Sequence, residues 1–240
     1  MYFRFSPPDF AQKKVCLIGP ASSAPSDMAG VSVSEFDHVI CINRAIETPV
    51  ALEDGPLDGF DTYVRNIVGN RPGELAGHYT EERLKASGVE NVVLIWGKWR
   101  DFHRVIRHIL HIRSYMTRPN VFIITPNRVK RISKHLNGAR PSTGFAILAL
   151  LCEQKLSRLH VAGFTFFQTA YIPGYNDKIS DDDSALAKMK AYARKGKAWT
   201  HRPVREKVAA KDLFRTSADH GCDLTLGSGV KNALESGVEG

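Results

Sequence analysis

The chain has 240 residues, of which 43% are hydrophobic and 24% charged. This is the balance of a folded globular protein and not of a disordered or fibrous one. Its longest apolar run, FAILALLC (145–152), is too short to cross a bilayer, and the N-terminus lacks the apolar core of a signal peptide. Four scattered cysteines and no N-glycosylation sequon favour a reducing compartment, so we expect a cytoplasmic protein. The formal net charge of +8 favours anionic partners without selecting among them.

Short apolar, β-branched runs alternate along the chain with helical segments. The predicted strands are KVCLIG (14–19), HVICIN (38–43), DTYVRNI (61–67), VVLIWG (92–97), VFIITP (121–126), RLHVAGF (158–164) and, as a seventh candidate, CDLTL (222–226). The predicted helices lie near 81–87, 100–115, 127–136, 143–156, 184–195 and 203–219.

Strands that are apolar almost without interruption are typical of a mostly parallel sheet covered by helices on both faces. The sequence therefore predicts an α/β fold. We expect a single Rossmann-like domain over 1–240 with about seven strands in its central sheet. Loosely ordered tails are expected at 1–12 and 230–240. Ligands of such sheets bind beyond the carboxyl ends of the strands, which directs attention to the residues there.

Two of these strand ends carry candidate ligand-binding residues. Gly19 lets the backbone approach a ligand, and Ser22 can satisfy hydrogen bonds where the next segment starts. Neither G-x-G-x-x-G nor G-x-x-x-x-G-K-[ST] is present, which disfavours a dinucleotide site or a P-loop. Asn43 can both donate and accept hydrogen bonds, and Arg44 is a candidate partner for an anion. For each strand end, an ordinary structural turn is about as plausible.

The segment RPSTG (140–144) predicts the start of an apolar helix. Pro141 suits a helix beginning, Ser142 or Thr143 can cap it, and Gly144 removes a side chain from its first turn. A helix N-terminus of this kind offers free N–H groups and positive partial charge to a phosphate. The alternative is a capped core helix without a ligand.

A histidine near the C-terminal end of the chain is a candidate general base. His201 precedes Pro203, which can begin a helix, and Glu206 follows in the first part of that helix. The ordinary pKa of histidine lies close to neutral pH, which suits proton transfer. A surface or structural histidine is the more common reading of such a residue.

Taken in order, these segments resemble the sialylmotifs of the eukaryotic-type sialyltransferases, glycosyltransferase family 29. VCLIGPASS…FDHVICINRA (15–45) is similar to the long motif, and RPSTGFAILALLCEQKLSRLHVAGF (140–164) is similar to the short motif. HRPVRE (201–206) has the His-x4-Glu pattern of the very short motif.

The resemblance implies a GT-A-like Rossmann variant that works as an inverting glycosyltransferase without metal or other cofactor. Its donor would be a CMP-activated sugar, CMP-sialic acid or CMP-Kdo. His201 would remove the proton of the acceptor hydroxyl, and Glu206 would support it in the same motif. The candidate donor-binding residues are Gly19, Ser22, Asn43, Arg44, Ser142, Thr143, Gly144, Gly163 and Tyr175.

The chain departs from the family pattern in two places. Gly19-Pro20 stands where the long motif has Gly-Asn, and Gly174-Tyr175 stands where the third motif has His-Tyr. A histidine contact to the leaving phosphate therefore needs a replacement. Tyr175 could supply a hydrogen bond, and Arg44 or Arg140 could supply charge.

Two cysteines lie in segments that are joined by a disulfide in secretory members of the family. They are Cys16 in the long motif and Cys152 in the short motif. In a cytoplasmic protein we expect both of them to be reduced.

The acceptor would be an oligosaccharide, a lipopolysaccharide or a lipid-linked glycan. The basic amphipathic segment HRVIRHILHIR (103–113) suits an anionic acceptor or peripheral association with an anionic membrane at its inner face, and an ordinary solvated helix face explains it equally well. Asp181 and Asp183 could form a metal site, but acidic residues at a helix start explain them better. Two other functions stay open: a nucleotide-binding Rossmann protein without transferase activity, and a basic module for nucleic acid or membranes. No nucleic-acid signature is present, so we expect no nucleic-acid partner.

Overall fold

The computed structural model describes residues 2–47, 51–52, 55–56, 59–68, 70, 76–115, 120–176, 179, 181–194 and 201–237. The strands are β1 (Tyr2–Arg4), β2 (Lys14–Ile18), β3 (His38–Ile42), β4 (Ala51–Leu52), β5 (Gly55–Pro56), β6 (Thr62–Asn66), β7 (Asn91–Ile95), β8 (Asn120–Ile124), β9 (Arg158–Ala162) and β10 (Asp223–Leu226). The helices are α1 (Ala24–Asp27), α2 (Glu81–Ala86), α3 (Phe102–Tyr115), α4 (Pro126–Ser133), α5 (Thr143–Cys152), α6 (Asp182–Arg194), α7 (Pro203–Asp219) and α8 (Ser228–Glu235).

Eight of the strands form one parallel sheet in the order β1-β8-β7-β6-β3-β2-β9-β10, with helices around it. The short strands β4 and β5 pair separately and are antiparallel. The predicted α/β, Rossmann-like fold is therefore confirmed. The sheet has one strand more than the expected seven, because β1 was not predicted.

Both expected tails contain regular structure. Strand β1 pairs in parallel with β8 at one edge of the sheet. The chain that follows β1 is anchored by Phe10, whose N–H donates to the side chain of Gln154 (2.7 Å) and whose ring is buried. At the other end, α8 buries Val230 and Leu234 in the core. The side-chain contacts that order these segments lie far away in sequence, which explains why local patterns did not indicate them.

The sheet separates two apolar layers, and alternate residues of a strand face opposite layers. On β2, Val15 and Leu17 belong to the layer with α5 and α7, whereas Cys16 and Ile18 belong to the layer with α1 and α3. Burial on both faces makes each central strand a continuous apolar run.

Helix α5 is the central helix of its layer, and all ten of its residues are buried. It ends at Cys152, earlier than the predicted 156. The chain then turns, and the side chain of Gln154 donates to the carbonyl of Pro8 (3.2 Å).

The four cysteines are free and buried. Cys16 and Cys152 lie in the two different apolar layers, so no disulfide joins them. Burial raises the pKa of each of these two thiols to about 12. None of the helices in the described part of the chain is long and apolar enough to cross a membrane.

The direction of the chain reverses at β2. From β2 the chain proceeds to β3, β6, β7 and β8 on one side of the sheet, and β9 and β10 lie on the other side. In doubly wound sheets, the crevice at such a reversal, beyond the carboxyl ends of the strands, is where ligands bind. In this chain that crevice lies beyond Ile18 and Ala162, which are paired in register.

Candidate functional site

A cleft with an empty volume of about 560 Å³ opens at this crevice. Its walls come from the segments after β2, β3 and β9, from the first turn of α5, from the loop that carries Tyr171 and Tyr175, and from Glu206 of α7. The fold thus brings together the three segments that the sequence singled out, although they are separated widely along the chain.

The start of α5 is held by a carboxylate from α7. Ser142 donates to Glu206 twice: its N–H to Oε1 (2.7 Å) and its hydroxyl to Oε2 (2.7 Å). The same hydroxyl oxygen accepts from the N–H of Phe145 (3.1 Å), which is the usual N-cap bond. Glu206 therefore fixes the position of the helix start.

This arrangement leaves two N–H groups of the first turn available. The N–H groups of Thr143 and Gly144 have no acceptor among the residues that the structure describes, and both residues line the cleft. Free N–H groups at a helix N-terminus, together with the helix dipole, attract an anion such as a phosphate.

Burial has a strong effect on Glu206, which is only 2% exposed. Desolvation raises the pKa of its carboxyl to about 7, although the two bonds from Ser142 favour the ionised form. The group therefore titrates close to neutral pH. Protonation of this carboxyl changes the acceptor of the two hydrogen bonds from Ser142 that hold the helix start.

Asn43 adopts a left-handed backbone conformation (φ 52°) at the end of β3. Its side chain hydrogen-bonds the buried Tyr175, and burial raises the pKa of that phenol. The Oδ1 atom of Asn43 is buried and has no hydrogen-bond partner in the described part of the chain. Asn43 also lines the cleft, and its side-chain amide can both donate and accept hydrogen bonds.

The two glycines that follow β2 and β9 serve the packing of the backbone. A Cβ at Gly19 would lie 2.3 Å from the carbonyl oxygen of Gly163, and a Cβ at Gly163 would lie 2.4 Å from that of Gly19. Gly163 also has φ +67°. The sequence predicted that these two glycines let a ligand approach the backbone. In the structure they let the ends of β2 and β9 approach each other.

Gly144 is constrained by a side chain. A Cβ there would lie 2.8 Å from the ring of Phe164. The absence of a side chain at this position therefore makes room for the aromatic ring that follows β9.

Three of the expected donor-binding residues, Gly19, Ser22 and Arg44, are not among those that line the cleft. The Arg44 guanidinium donates to the carbonyl of Tyr175 (2.9 Å), and its Nε lies 3.5 Å from a carboxylate oxygen of Glu47. Ser22 is exposed, and its N–H donates to the carbonyl of Ala170. Both residues hold loops in place, which is the ordinary structural role that the sequence left open for them.

His201 lies beside the cleft. Its ring stacks on that of Phe167 (centroids 6.4 Å apart, 24° between planes), and its Nδ1 is 3.3 Å from the carbonyl of Arg140. Its Nδ1 is also 4.0 Å from Oε1 of Glu206. Partial burial and the Arg140 guanidinium lower the pKa of His201 to about 4, so the imidazole is neutral at pH 7. A general base must start in this neutral form.

The aromatic segment after β9 was not among the predicted site residues. Phe164, Phe166 and Phe167 line the cleft, and the last two have positive φ (52° and 64°). For bulky residues this conformation is strained, and such strain is found most often at functional sites. The run GFTFF directly after a predicted strand was the available signal.

Charge is distributed unevenly at this edge of the sheet. Among the described residues, no cationic side chain lines the cleft. Arg140, whose carbonyl contacts His201, lines a neighbouring pocket that also contains Lys98, Arg100 and Arg104. Asn66 and Thr143 connect the two hollows through their side chains (3.5 Å).

The acidic run at the start of α6 has a structural role. Asp181 accepts from the N–H of Ser184 (2.7 Å), and Asp182 accepts from the N–H of Ala170 (2.7 Å). Within the residues that the structure describes, no group of three or more His, Cys, Asp or Glu side chains could hold a metal ion.

Comparison of the chain with models of known protein families, with curated proteins and with solved structures gives no match.

Proposed function

We propose that the protein is an inverting, metal-independent glycosyltransferase that moves sialic acid, or the related acid Kdo, from a CMP-activated donor to a hydroxyl group of a glycan. The observation that carries this proposal is the start of α5. Glu206 holds it at the reversal point of the sheet, its N–H groups at Thr143 and Gly144 are open, and His201 lies beside it. The resemblance to the sialylmotifs supports the same assignment of residues.

The walls of the cleft suit a nucleotide. Aromatic rings in its lining offer a surface for a base, and the side-chain amide of Asn43 can form a hydrogen bond with the polar edge of that base. The N–H groups of Thr143 and Gly144 would receive the phosphate. In this site the CMP-activated sugar is a substrate, and no cofactor takes part.

Transfer would proceed in one displacement. The oxygen of the acceptor hydroxyl forms a bond to the anomeric carbon while the bond from that carbon to the phosphate oxygen breaks, and CMP leaves with the electron pair. The proton of the hydroxyl passes to His201. The contact between Nδ1 of His201 and the Arg140 carbonyl requires the proton on Nδ1, so Nε2 is the nitrogen that accepts. Negative charge on the departing phosphate is stabilised by the helix N–H groups.

The acceptor would be an oligosaccharide, a lipopolysaccharide or a lipid-linked glycan, and the enzyme would work in the cytoplasm, at the inner face of the membrane for lipid-linked acceptors. The excess of positive charge on the chain is compatible with anionic acceptors.

The test is release of CMP from CMP-sialic acid and from CMP-Kdo in the presence of glycan acceptors. We expect turnover by the wild type and a loss of about 10²- to 10⁴-fold in kcat for His201→Ala. CMP binding by that variant should be unchanged. His135→Ala, which removes an exposed histidine, is the matched control and should retain full activity.

The pH dependence of turnover adds a second criterion. Since the pKa of His201 is lowered to about 4, its own titration should reduce kcat only when the pH approaches 4, and not near 6.5 where an ordinary histidine titrates. Full activity of His201→Ala would contradict the role given to this residue, as would an acid limb near pH 6.5 that persists in Glu206→Gln, in which the carboxyl that titrates near pH 7 is removed.

A nucleotide-binding protein without transferase activity is the second candidate. It is favoured by the lack of a cationic side chain in the lining of the cleft among the described residues, and by the replacement of His-Tyr with Gly174-Tyr175. The same experiment separates the two candidates, because this one predicts CMP binding without release of CMP from either donor.

A further inference from the structure

The hollow beside the cleft, which we call the basic pocket, has an empty volume of about 620 Å³. Four of the residues that line it are cations, namely Lys98, Arg100, Arg104 and Arg140. Asp101 is the one carboxylate among its described lining residues, and it lies 3.8 Å from Nε of Arg104. The pocket is formed by loops after β6 and β7, the start of α3 and the residue before Pro141. Positive charge therefore exceeds negative charge in it.

Arg140 is the most informative of these residues. It is half-buried, yet its guanidinium makes no hydrogen bond or ion pair with any residue that the structure describes. Burial lowers its pKa, against the opposing influence of Asp101. Arg100, which is exposed, likewise has no partner among the described residues. A guanidinium that is partly removed from water and unpaired is stabilised when an anion binds to it.

The position of the pocket relates it to the proposed reaction. The Arg140 carbonyl contacts His201 (3.3 Å), and Asn66 at the pocket wall contacts Thr143 at the helix start (3.5 Å). A molecule anchored in the pocket would therefore lie next to the proposed base and next to the proposed donor site.

We propose that the basic pocket binds an oxyanion, a phosphate or a carboxylate, carried by the acceptor substrate. Two arginine side chains suit the paired oxygens of such a group, because each guanidinium can donate two parallel hydrogen bonds. The role as acceptor subsite rests on the proposed function, whereas the binding of the oxyanion does not.

The experiment is calorimetric titration of the full chain with inorganic phosphate, and in a second arm with acetate, at low ionic strength. We expect phosphate binding that Arg140→Gln weakens at least fivefold and Arg100→Gln weakens about twofold to fivefold. Arg131→Gln is the matched control, because Arg131 is exposed on α4 outside the pocket, and it should leave the affinity unchanged. Arg100→Gln alters only an exposed side chain, so its result is independent of any folding defect in Arg140→Gln.

Three results would overturn the proposal. Equal affinity in wild type and both pocket variants would exclude the pocket, as would an equal loss in Arg131→Gln, which would mean attraction by net charge only. Displacement of phosphate by CMP would place the anion at the start of α5 instead. Phosphate binding in the pocket without any CMP binding would contradict the proposed function and leave the oxyanion site intact, so the two failures are distinguishable. Comparing the affinity for acetate with that for phosphate shows whether the pocket prefers a carboxylate or a phosphate.

A separate observation concerns the outer face of α3. Three apolar side chains spaced four residues apart are exposed there, Phe102 (47%), Ile106 (39%) and Leu110 (59%), and Trp99 (58%) continues the stripe. The opposite face of the helix is buried through Val105 and Ile112. The stripe is thus additional to the apolar face that packs on the sheet.

Apart from Ser114, the remaining exposed side chains among the described residues of α3 are basic. They are His103, Arg104, Arg107 and Arg113, and the helix contains no acidic residue. A helix with exposed aromatic and aliphatic side chains among cations is typical of helices that lie in the interface of an anionic bilayer.

We infer that α3 docks the protein on an anionic lipid surface, with the stripe in contact with the acyl region and the basic side chains with head groups. Charge complementarity selects this occupant, because another protein would have to present an apolar strip surrounded by acidic residues.

Flotation with vesicles of phosphatidylcholine and phosphatidylglycerol tests this inference. We expect binding that high salt weakens and that Ile106→Ser with Leu110→Ser reduces about tenfold. Val208→Ser is the matched control, since Val208 is an exposed apolar residue on α7 (56%), and it should bind like the wild type. The inference would be overturned by absence of binding or by equal binding of the double variant. It would also be overturned if sedimentation showed a dimer of the wild type and a monomer of the double variant.

Discussion

The cleft and the basic pocket lie side by side at the carboxyl edge of one sheet, but different kinds of residue line them. The cleft is lined by glycines, hydroxyl groups, an amide and aromatic rings, and its carboxylate, Glu206, is occupied by Ser142. Four of the residues that line the pocket are cations, and two of its arginines have no partner among the described residues. The cleft therefore presents backbone and uncharged side chains to a ligand, whereas the pocket presents an excess of positive charge.

This difference indicates how the two hollows recognise anions. The cleft offers backbone N–H groups at fixed positions, which select a ligand by shape. The pocket offers guanidinium groups on long side chains, which select a ligand by its charge. Substitutions should therefore have different consequences in the two places, and those in the cleft should affect folding as well as binding.

The largest effect is expected for Gly163→Ala. The added Cβ would lie 2.4 Å from the carbonyl oxygen of Gly19, at a φ of +67°, so we expect a loss of about 3 kcal/mol or more in the free energy of unfolding. Gly138→Ala is the matched control, because Gly138 also has positive φ (+80°) but open space around it. It should cost only about 1 kcal/mol. Urea denaturation measures both, and equal losses would contradict the close contact between the two strand ends.

Next in size is the pH dependence of stability caused by Glu206. Its pKa rises from 4.5 to about 7 on folding, so the folded state holds this proton more tightly than the unfolded state does. The resulting stabilisation is complete below pH 4.5 and is lost as the pH rises to 7, by roughly 3 kcal/mol.

Glu206→Gln removes this titration. The unfolding free energy of the wild type minus that of the variant should therefore fall between pH 4.5 and 7. Histidines such as His108, with a pKa lowered to about 4, cancel in this difference, although they reduce stability of both proteins as the pH falls below 6.5. A difference independent of pH would mean that Glu206 is not buried as described.

A smaller effect, about tenfold, should separate the two hollows directly. Asn43→Ala should weaken CMP binding by about that factor, through loss of one hydrogen bond, and leave phosphate binding in the pocket unchanged. Arg140→Gln should weaken phosphate binding and change CMP affinity by less than about twofold, because its side chain lines the other hollow. Calorimetry measures the affinity of both variants for CMP and for phosphate. If each variant lost affinity for both ligands to the same extent, the two hollows would form one site.

The sequence indicated the cleft better than the pocket. Local sequence patterns indicated the apolar strands, the helix start at Ser142 and the candidate residues Asn43 and His201. The carboxyl ends of parallel strands meet at one edge of a sheet, so these patterns also indicated where the cleft lies. The bond between Ser142 and Glu206 spans 64 positions of sequence. Periodicity contains no information on such a pair.

The pocket shows why the rest was not predictable. Arg140 and Arg100 come from segments on either side of β8. The sequence suggested Arg140 only as a source of charge for the leaving phosphate, and Arg100 looks like an ordinary surface cation by itself. Arg44, an apparent anion partner in sequence, is instead paired with Glu47. Strand β1 was missed for a related reason, because its three residues are too few to form a pattern and are fixed by pairing with β8.

Calorimetric titration of the full chain with CMP, and with UMP, GDP and NAD for comparison, tests the donor site most directly. The account predicts that CMP binds in preference to the other three and that Thr143→Ala and Asn43→Ala both weaken it. Asn137→Ala, at a residue with almost the same left-handed φ (50°) away from the cleft, should bind CMP like the wild type and so separates backbone strain from loss of contact. No preference for CMP, or an equal loss in Asn137→Ala, would contradict the assignment of the cleft as a CMP-sugar site.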